Sequence, residues 1–227
     1  MPGRGVVRLL LRHIMSRLSG LEWLVAGAIT AIALFGIWQI GGGLYIKAKA
    51  ALAQVLLDAA WNRALAGAAA PKPWPWADTW PVAKITVPKL KKSAVILSGV
   101  SGEAMAFGPG HHLQTPRPGR PGTSVIAAHR DTHFAFLQHV VVGDQITITS
   151  RSGQIHSFQV TATRIVPWSS SGINPDAPGT NLALVTCWPF DSTEPGPLRY
   201  VVEAEGRPTD PALPKPDDGP AISLWPL

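Results

Sequence analysis

Apolar residues follow three successive patterns along this chain. The run from 23 to 46, WLVAGAITAIALFGIWQIGGGLYI, contains no charged residue. About twenty residues of helix, rising 1.5 Å per residue, cover the roughly 30 Å hydrocarbon core of a bilayer. Aromatic residues stand toward the ends of the run, where amphipathic rings favour the membrane interface. The pattern therefore predicts a transmembrane helix at 23–46.

The next pattern combines a short helical stretch with a proline-rich one. Good helix formers fill residues 48–66, and Leu52, Val55, Leu56 and Ala59 have helical spacing. The stretch PKPWPWADTWP, residues 71–81, holds four prolines and three tryptophans, which exclude a regular helix. Residues 47–81 are thus predicted to be a short helix and a Pro/Trp-rich linker.

The third pattern is a series of short β-prone runs separated by Gly, Pro and Ser. These runs are AKITVP, SAVILSG, TSVIAAH, DQITITS, GQIHSFQVTATRIV, LALVTCW and LRYVVEAEG. Many short strands with such punctuation indicate an all-β barrel or sandwich. We assign residues 82–206 to this β domain and residues 207–227 to a Pro-rich tail without periodicity.

Charge sets the expected orientation in the membrane. The formal net charge is +6, and four arginines lie within the first twenty residues. Residues 1–22 therefore form a basic terminus that stays in the cytoplasm by the positive-inside rule, with the β domain outside. The small-x-small sequence Ala48-Lys49-Ala50 also allows a cleaved signal, but signal peptides have shorter apolar cores of about 7–15 residues. We predict an uncleaved single-pass anchor.

The remaining charge does not indicate nucleic-acid binding. Lys89, Lys91 and Lys92 form the other basic cluster, and no aromatic residues alternate with them. Such a cluster is typical of a solvated loop rather than of a phosphate-binding stripe. No nucleic-acid partner is expected.

A thiol, an imidazole and a guanidinium are predicted at the ends of β-prone runs. Cys187 ends LALVTC, His129 ends TSVIAAH, and Arg199 begins LRYVV. Ends of neighbouring strands converge on one rim of a small barrel, so the three groups can meet there. Together they can supply a nucleophile, a proton acceptor and a stabiliser of an oxyanion.

Other roles for these residues remain open at this point. A lone cysteine cannot form an intramolecular disulfide, and it is often a buried apolar residue or an intermolecular crosslinker. His111, His129 and His133 could instead hold zinc in a hydrolase, although four-apart histidines share a face only in a helix. Neither paired carboxylates suited to glycosidic chemistry nor a glycine-rich phosphate loop is evident.

Several ordered motifs resemble those of the sortase family. LVTC at 184–187 resembles the TLxTC signature, VIAAHRD at 125–131 resembles the histidine segment, and LRYVV at 198–202 resembles the arginine strand. PWPWADTWPVAKI, AFGPGHH, HRDTHFAFL, TCWPFD and GPLRYVV are more narrowly similar to the Gram-negative class, class GN.

The resemblance implies a sortase-like closed eight-stranded β-barrel with the activity of a cysteine transpeptidase. Cys187 would attack the Thr–Gly amide of an LPxTG-like signal at the C-terminus of a protein substrate and form a thioester. His129 would transfer protons, Arg199 would stabilise the oxyanion, and an amine acceptor would resolve the thioester. No cofactor or metal is implied. The expected location is the bacterial inner membrane, with the catalytic domain on the periplasmic side.

Three positions next to the catalytic set are expected to contact substrate: Ala128, Thr186 and Trp188. Ala128 stands where the family usually has Gly, and Trp188 stands where the class often has Tyr. Ala183 replaces the usual Thr of the signature. These departures leave a second hypothesis, a peptide-binding module of the same fold without turnover.

Overall fold

The structure, a computed structural model, describes residues 19–207. The predictions for the basic terminus before residue 19 and for the Pro-rich tail after residue 207 lie outside the described residues. Contacts divide the chain into two units, the first ending at Ala51 and the second beginning at Leu52.

Helix α1 extends from Gly20 to Leu65. It begins at a capping box, in which the Ser19 Oγ accepts a hydrogen bond from Glu22 N–H (3.4 Å) while Glu22 Oε2 accepts one from Ser19 N–H (2.7 Å). The predicted helical stretch at 48–66 belongs to this same helix.

The first unit carries the most apolar part of α1. Its large side chains are exposed, as Ile32 and Trp38 illustrate at 71% each. Among residues 19–207, α1 is the one helix long and apolar enough to cross a membrane. Apolar side chains exposed on every side of a helix are typical of a membrane span.

The second unit is built on a closed barrel of eight strands. The strands are β1 Pro81–Val87, β2 Lys92–Ser98, β3 Gly110–His111, β4 Gly122–Ala127, β5 Gln145–Ser150, β6 Ile155–Pro167, β7 Thr180–Cys187 and β8 Leu198–Gly206. They close in the order β1-β2-β3-β4-β7-β8-β6-β5. The β2–β3 and β4–β7 pairs are parallel, and the others are antiparallel. This confirms the predicted all-β barrel.

Alternate side chains along the strands fill the barrel interior. In β1, for example, Ala83, Ile85 and Val87 are buried while the residues between them are partly exposed. The interior cluster also contains Ile96, Ile126, Ile146, Ile148, Phe158, Leu182, Leu184 and Val202. Period-two alternation therefore places every second residue of each strand inside and leaves the others on the outer wall.

The end of α1 and a short helix cover part of that wall. Leu57 and Trp61 of α1 pack against Val95 and Leu97 of β2. Helix α2, Gly102–Phe107, begins at Ser101, whose Oγ accepts a hydrogen bond from Ala104 N–H (3.1 Å). This packing buries apolar outer-face residues of β2, which would otherwise be exposed to water.

Candidate active site

Three neighbouring strands bring their ends to one edge of the barrel. Strands β4 and β7 are parallel, with Ala127 beside Val185. Strand β8 is antiparallel to β7, with Cys187 directly opposite Arg199. The carboxyl ends of β4 and β7 therefore meet the amino end of β8. His129, two residues beyond β4, follows at this same edge.

Cys187 is the last residue of β7 and lies on the outer wall. Leu182 and Leu184 belong to the interior cluster and Thr186 is also buried, so alternation directs Cys187 to the opposite face. Its thiol is free and half-buried. Because Arg199 is its cross-strand partner, both side chains stand on the same face.

His129 lies just past the end of β4 rather than at the predicted end of the strand. Its side chain is exposed, and its carbonyl accepts a hydrogen bond from Phe134 N–H (3.0 Å), which closes the following turn. Neither the His129 ring nor the Cys187 thiol forms a hydrogen bond with any residue in 19–207. Both groups are therefore available to a substrate.

A second histidine lies near this turn. Burial lowers the pKa of His133 below its ordinary value; a hydrogen bond with the Ala106 backbone opposes this shift, and the charge of His129 adds to it. The lowered pKa favours the neutral form of His133.

The Arg199 guanidinium is oriented by main-chain carbonyls. Its Nη1 donates to the carbonyl oxygens of Gly196 (2.8 Å) and Leu198 (2.9 Å). Its Nη2 and Nε make no hydrogen bond within the described part of the chain. The arginine therefore has a fixed position and unused donors, as a group that stabilises a developing oxyanion requires.

Two of the three expected substrate contacts lie in the interior instead. Ala128 is 5% exposed and Thr186 is 2% exposed. The Thr186 hydroxyl donates to the Ala128 carbonyl (2.7 Å), and Ala128 N–H donates to the Val185 carbonyl (3.2 Å). These bonds attach the residue that precedes His129 to the strand that carries Cys187. Trp188 is half-buried and borders a groove.

Arg130 is a residue that the sequence pattern did not single out. It is only 9% exposed, and its Nη2 donates to the Glu194 carbonyl (2.7 Å). Glu194 belongs to the β7–β8 loop, residues 188–197. Arg130 therefore connects the His129 segment to this loop. Its only sequence signal was its place in the HRD segment, since burial of an arginine is not visible in a sequence.

The histidines proposed for zinc do not form one site. His111 lies in β3 and its Nε2 forms a hydrogen bond with the Pro116 carbonyl (3.0 Å). His129 and His133 lie beyond β4. Within residues 19–207, no three His, Cys, Asp or Glu side chains come together in a group that could hold a metal ion. The zinc hydrolase hypothesis therefore has no ligand set in the described residues.

Comparisons with known proteins agree with this geometry. The family model for the Sortase domain matches residues 85–207. Sortase D of Bacillus subtilis (strain 168) is 27% identical over 119 residues, which represent 52% of this chain and 60% of that protein. The chain thus spans about three fifths of the length of this relative.

Solved structures of similar proteins share the barrel. Sortase C-1 from Actinomyces oris is 26% identical with a TM-score of 0.51, covering 56% of this chain and 75% of that one. Sortase A from Corynebacterium diphtheriae is 24% identical with a TM-score of 0.54, covering 71% and 87%. A Clostridium perfringens Sortase D5 transpeptidase is 21% identical with a TM-score of 0.55, covering 70% and 99%. Because the last two structures are less than 25% identical to this chain, their similarity shows the fold alone.

Proposed function

The chain belongs to the sortase family, and from this premise we propose that it is a membrane-anchored cysteine transpeptidase. Its donor is a protein with a C-terminal LPxTG-like sorting signal, and its acceptor is an amine. The observation that carries the proposal is the register of β7 and β8, which pairs Cys187 with Arg199 at the edge where His129 follows β4.

Each of the three side chains has a role that its chemistry supports. The Cys187 thiolate attacks the Thr–Gly carbonyl of the signal and forms a thioester. His129 protonates the departing glycine amine and later accepts a proton from the incoming amine. The free donors of Arg199 stabilise the negative oxygen of the tetrahedral intermediates.

Buried groups hold this set in position. We assign Thr186 and Ala128 to the alignment of β4 with β7, because their hydrogen bond lies in the interior next to His129 and Cys187. Arg130 fixes the β7–β8 loop against the His129 segment. Trp188 remains the residue of the expected substrate-contact set that a substrate can reach.

The membrane assignment rests on helix α1 and the sequence around it. We propose a single-pass anchor at 23–46 in the bacterial inner membrane, a linker at 47–81 and a catalytic domain at 82–206 on the periplasmic side. The basic residues before the apolar run support this orientation. The motifs shared with class GN support assignment to the Gram-negative class.

An acyl-enzyme assay tests the proposed activity. The detergent-solubilised full chain is incubated with a panel of LPxTG-type peptides, and its intact mass is measured. The expected result is a thioester adduct that the wild type forms and Cys187→Ala does not. We expect His129→Ala and Arg199→Ala to form it at least 100-fold more slowly, the usual scale for loss of an acid–base or oxyanion group.

The same assay also tests the alternative hypothesis, a peptide-binding module without turnover. Peptide binding that survives in Cys187→Ala, together with no adduct in a folded wild type, would support that module and overturn the transpeptidase. Thermal unfolding of each variant shows whether a loss of adduct reflects a loss of folding.

A further inference from the structure

Two arginines lie at the end of the barrel opposite Cys187. Strands β4 and β7 begin at that end, and Cys187 lies where β7 finishes. The β5–β6 hairpin, which contains Arg151, belongs to the same end because β6 begins where β8 ends. The loop between β3 and β4, residues 112–121, contains Arg117. The proposed reaction uses neither arginine.

A tight turn packs the β3–β4 loop against β6. Arg120 N–H donates to the Arg117 carbonyl (3.0 Å), and Pro118 and Gly119 stand between them. Gly119 has a φ of +89°, the backbone conformation that the third residue of a type II turn requires. A Cβ at Gly119 would overlap the ring of His156, the second residue of β6. The turn therefore lies directly on the start of β6.

The Arg151 guanidinium is only partly satisfied. Its Nη2 donates to the Ala68 carbonyl (3.1 Å), whereas its Nε is buried and has no hydrogen-bond partner within residues 19–207. Burial, and after it the positive charge of Arg117, lowers the pKa of Arg151. The two guanidinium groups are therefore close enough to repel each other.

The three segments that meet here carry no carboxylate. Residues 104–130 contain the turn, residues 145–175 contain the hairpin and residues 59–77 contain Ala68, and none of these ranges includes Asp or Glu. Two acids stand on adjoining segments, Asp176 before β7 and Glu205 near the end of β8. Neither forms an ion pair with another described residue. The charge of the two arginines is therefore not balanced within residues 19–207.

A cavity opens beside the turn. Its volume is about 280 Å³, and its lining includes Gly119, His156, Ser157, Thr180 and Arg207 but no acidic residue. A small solute can therefore approach the turn from this side without meeting a carboxylate that would repel an anion.

We propose that Arg117 and Arg151 form a binding site for a phosphate group that carries two negative charges. Guanidinium groups bind phosphate oxygens through paired, charge-assisted hydrogen bonds. A phosphate monoester has a charge of about −1.5 to −2 at neutral pH and so balances both arginines, whereas a carboxylate balances one. Bound phosphate joins the β3–β4 turn to the β5–β6 hairpin and stabilises the folded chain. The inference does not depend on the proposed activity, whose residues lie at the other end of the barrel.

Thermal unfolding of the full chain tests this site. The detergent-solubilised protein is titrated near neutral pH with inorganic phosphate, and potassium chloride of matched ionic strength is the reference, because salt alone screens the repulsion between the arginines. Arg117→Gln and Arg151→Gln each remove one guanidinium. Lys92→Gln, at an exposed position where β2 begins at the other end of the barrel, is the matched control.

Phosphate at about ten times its half-saturating concentration should raise the Tm of the wild type by about 3–6 °C relative to chloride. Each arginine variant should need at least about fivefold more phosphate for half of this rise, the scale of one charge-assisted hydrogen bond at a partly exposed site. Lys92→Gln should titrate like the wild type. The Arg117 side chain is exposed and forms no hydrogen bond or ion pair within the described part of the chain, so Arg117→Gln should fold normally.

A second titration distinguishes a lipid head group from a soluble phosphate. Dioctanoyl phosphatidic acid carries a phosphate monoester on a lipid, and dioctanoyl phosphatidylcholine is its reference. A rise in Tm at concentrations well below those of inorganic phosphate, and reduced in Arg117→Gln, would assign the site to a lipid. Half-saturation at similar or higher concentrations would assign it to a soluble phosphate.

Two results would overturn the site. One is an equal Tm of the wild type in phosphate and in matched chloride. The other is the same phosphate titration in the wild type, Arg117→Gln and Arg151→Gln. Neither result bears on the transpeptidase, because adduct formation on Cys187 is measured separately.

Discussion

Replacing Thr186 with valine removes one buried hydrogen bond while keeping the shape of the side chain. The Thr186 hydroxyl donates to the Ala128 carbonyl at 2.7 Å, in a position where Thr186 is only 2% exposed. Leaving a buried carbonyl without its donor costs about 1–3 kcal/mol. A domain of 150–250 residues loses about 2–4 °C in Tm per kcal/mol. We therefore expect Thr186→Val to unfold roughly 2–12 °C below the wild type.

The same bond has a second measurable consequence. Because Ala128 immediately precedes His129, a freed Ala128 carbonyl displaces the imidazole relative to Cys187, and small displacements of catalytic groups slow reactions strongly. Adduct formation should fall about tenfold in Thr186→Val, measured at a temperature where all variants are folded.

Two further variants make the test sharp. Thr186→Ser keeps the donor and should recover most of the rate and the Tm. Thr163→Val, at an exposed position of β6, is the matched control and should resemble the wild type. If Thr186→Val matches the wild type in both Tm and rate, or if Thr186→Ser behaves like Thr186→Val, the positioning role is wrong.

Two predictions concern stability. Burial lowers the pKa of His111, His133 and His156 below the ordinary value of 6.5; the unfolded chain therefore binds protons more readily just below that pH, and stability rises with pH there. Tm should decrease as the pH is lowered from about 7.5 to about 5.5, and His156→Gln should make this decrease smaller. An equal dependence of Tm on pH in the wild type and in His156→Gln would contradict this prediction. Gly110→Ala should lower Tm by several degrees, because the new Cβ would meet the Gly99 carbonyl oxygen, whereas Gly102→Ala, which meets nothing within 4 Å, should not. Equal Tm values for the two glycine variants would refute the close approach at β3.

Most of the barrel could be predicted because its strands carry a clear local pattern. Each of the seven β-prone runs contains a strand, since alternation of apolar and polar residues directly reflects the two faces of the sheet. The exception is β3, Gly110–His111. Two residues cannot show alternation, and this strand is defined by pairing with Leu97 and Ala127 from distant parts of the chain.

For the candidate site, the sequence indicates which residues lie at strand ends, but it does not indicate which buried residues support them. Cys187 and Arg199 stand at a strand end and a strand start, which the sequence pattern indicates, and their pairing follows from the antiparallel register. The interior position of Thr186 and the contact of Arg130 with Glu194 depend on tertiary packing. The groove lined by Trp188, Phe190 and Tyr200 likewise includes Gln138, about fifty residues away from Trp188 in the sequence, and no local pattern connects them.

The attachment of the β7–β8 loop has a consequence for how this protein can change in sequence. Arg130 and Arg199 hold the loop through the carbonyls of Glu194 and Gly196, and every residue type supplies a main-chain carbonyl. Side chains of the loop other than Phe190, which packs against the barrel core, can therefore be exchanged without loss of these two anchors. Natural divergence or a designed library at residues 191–195 can therefore change the surface of the loop while the two arginines keep it in place.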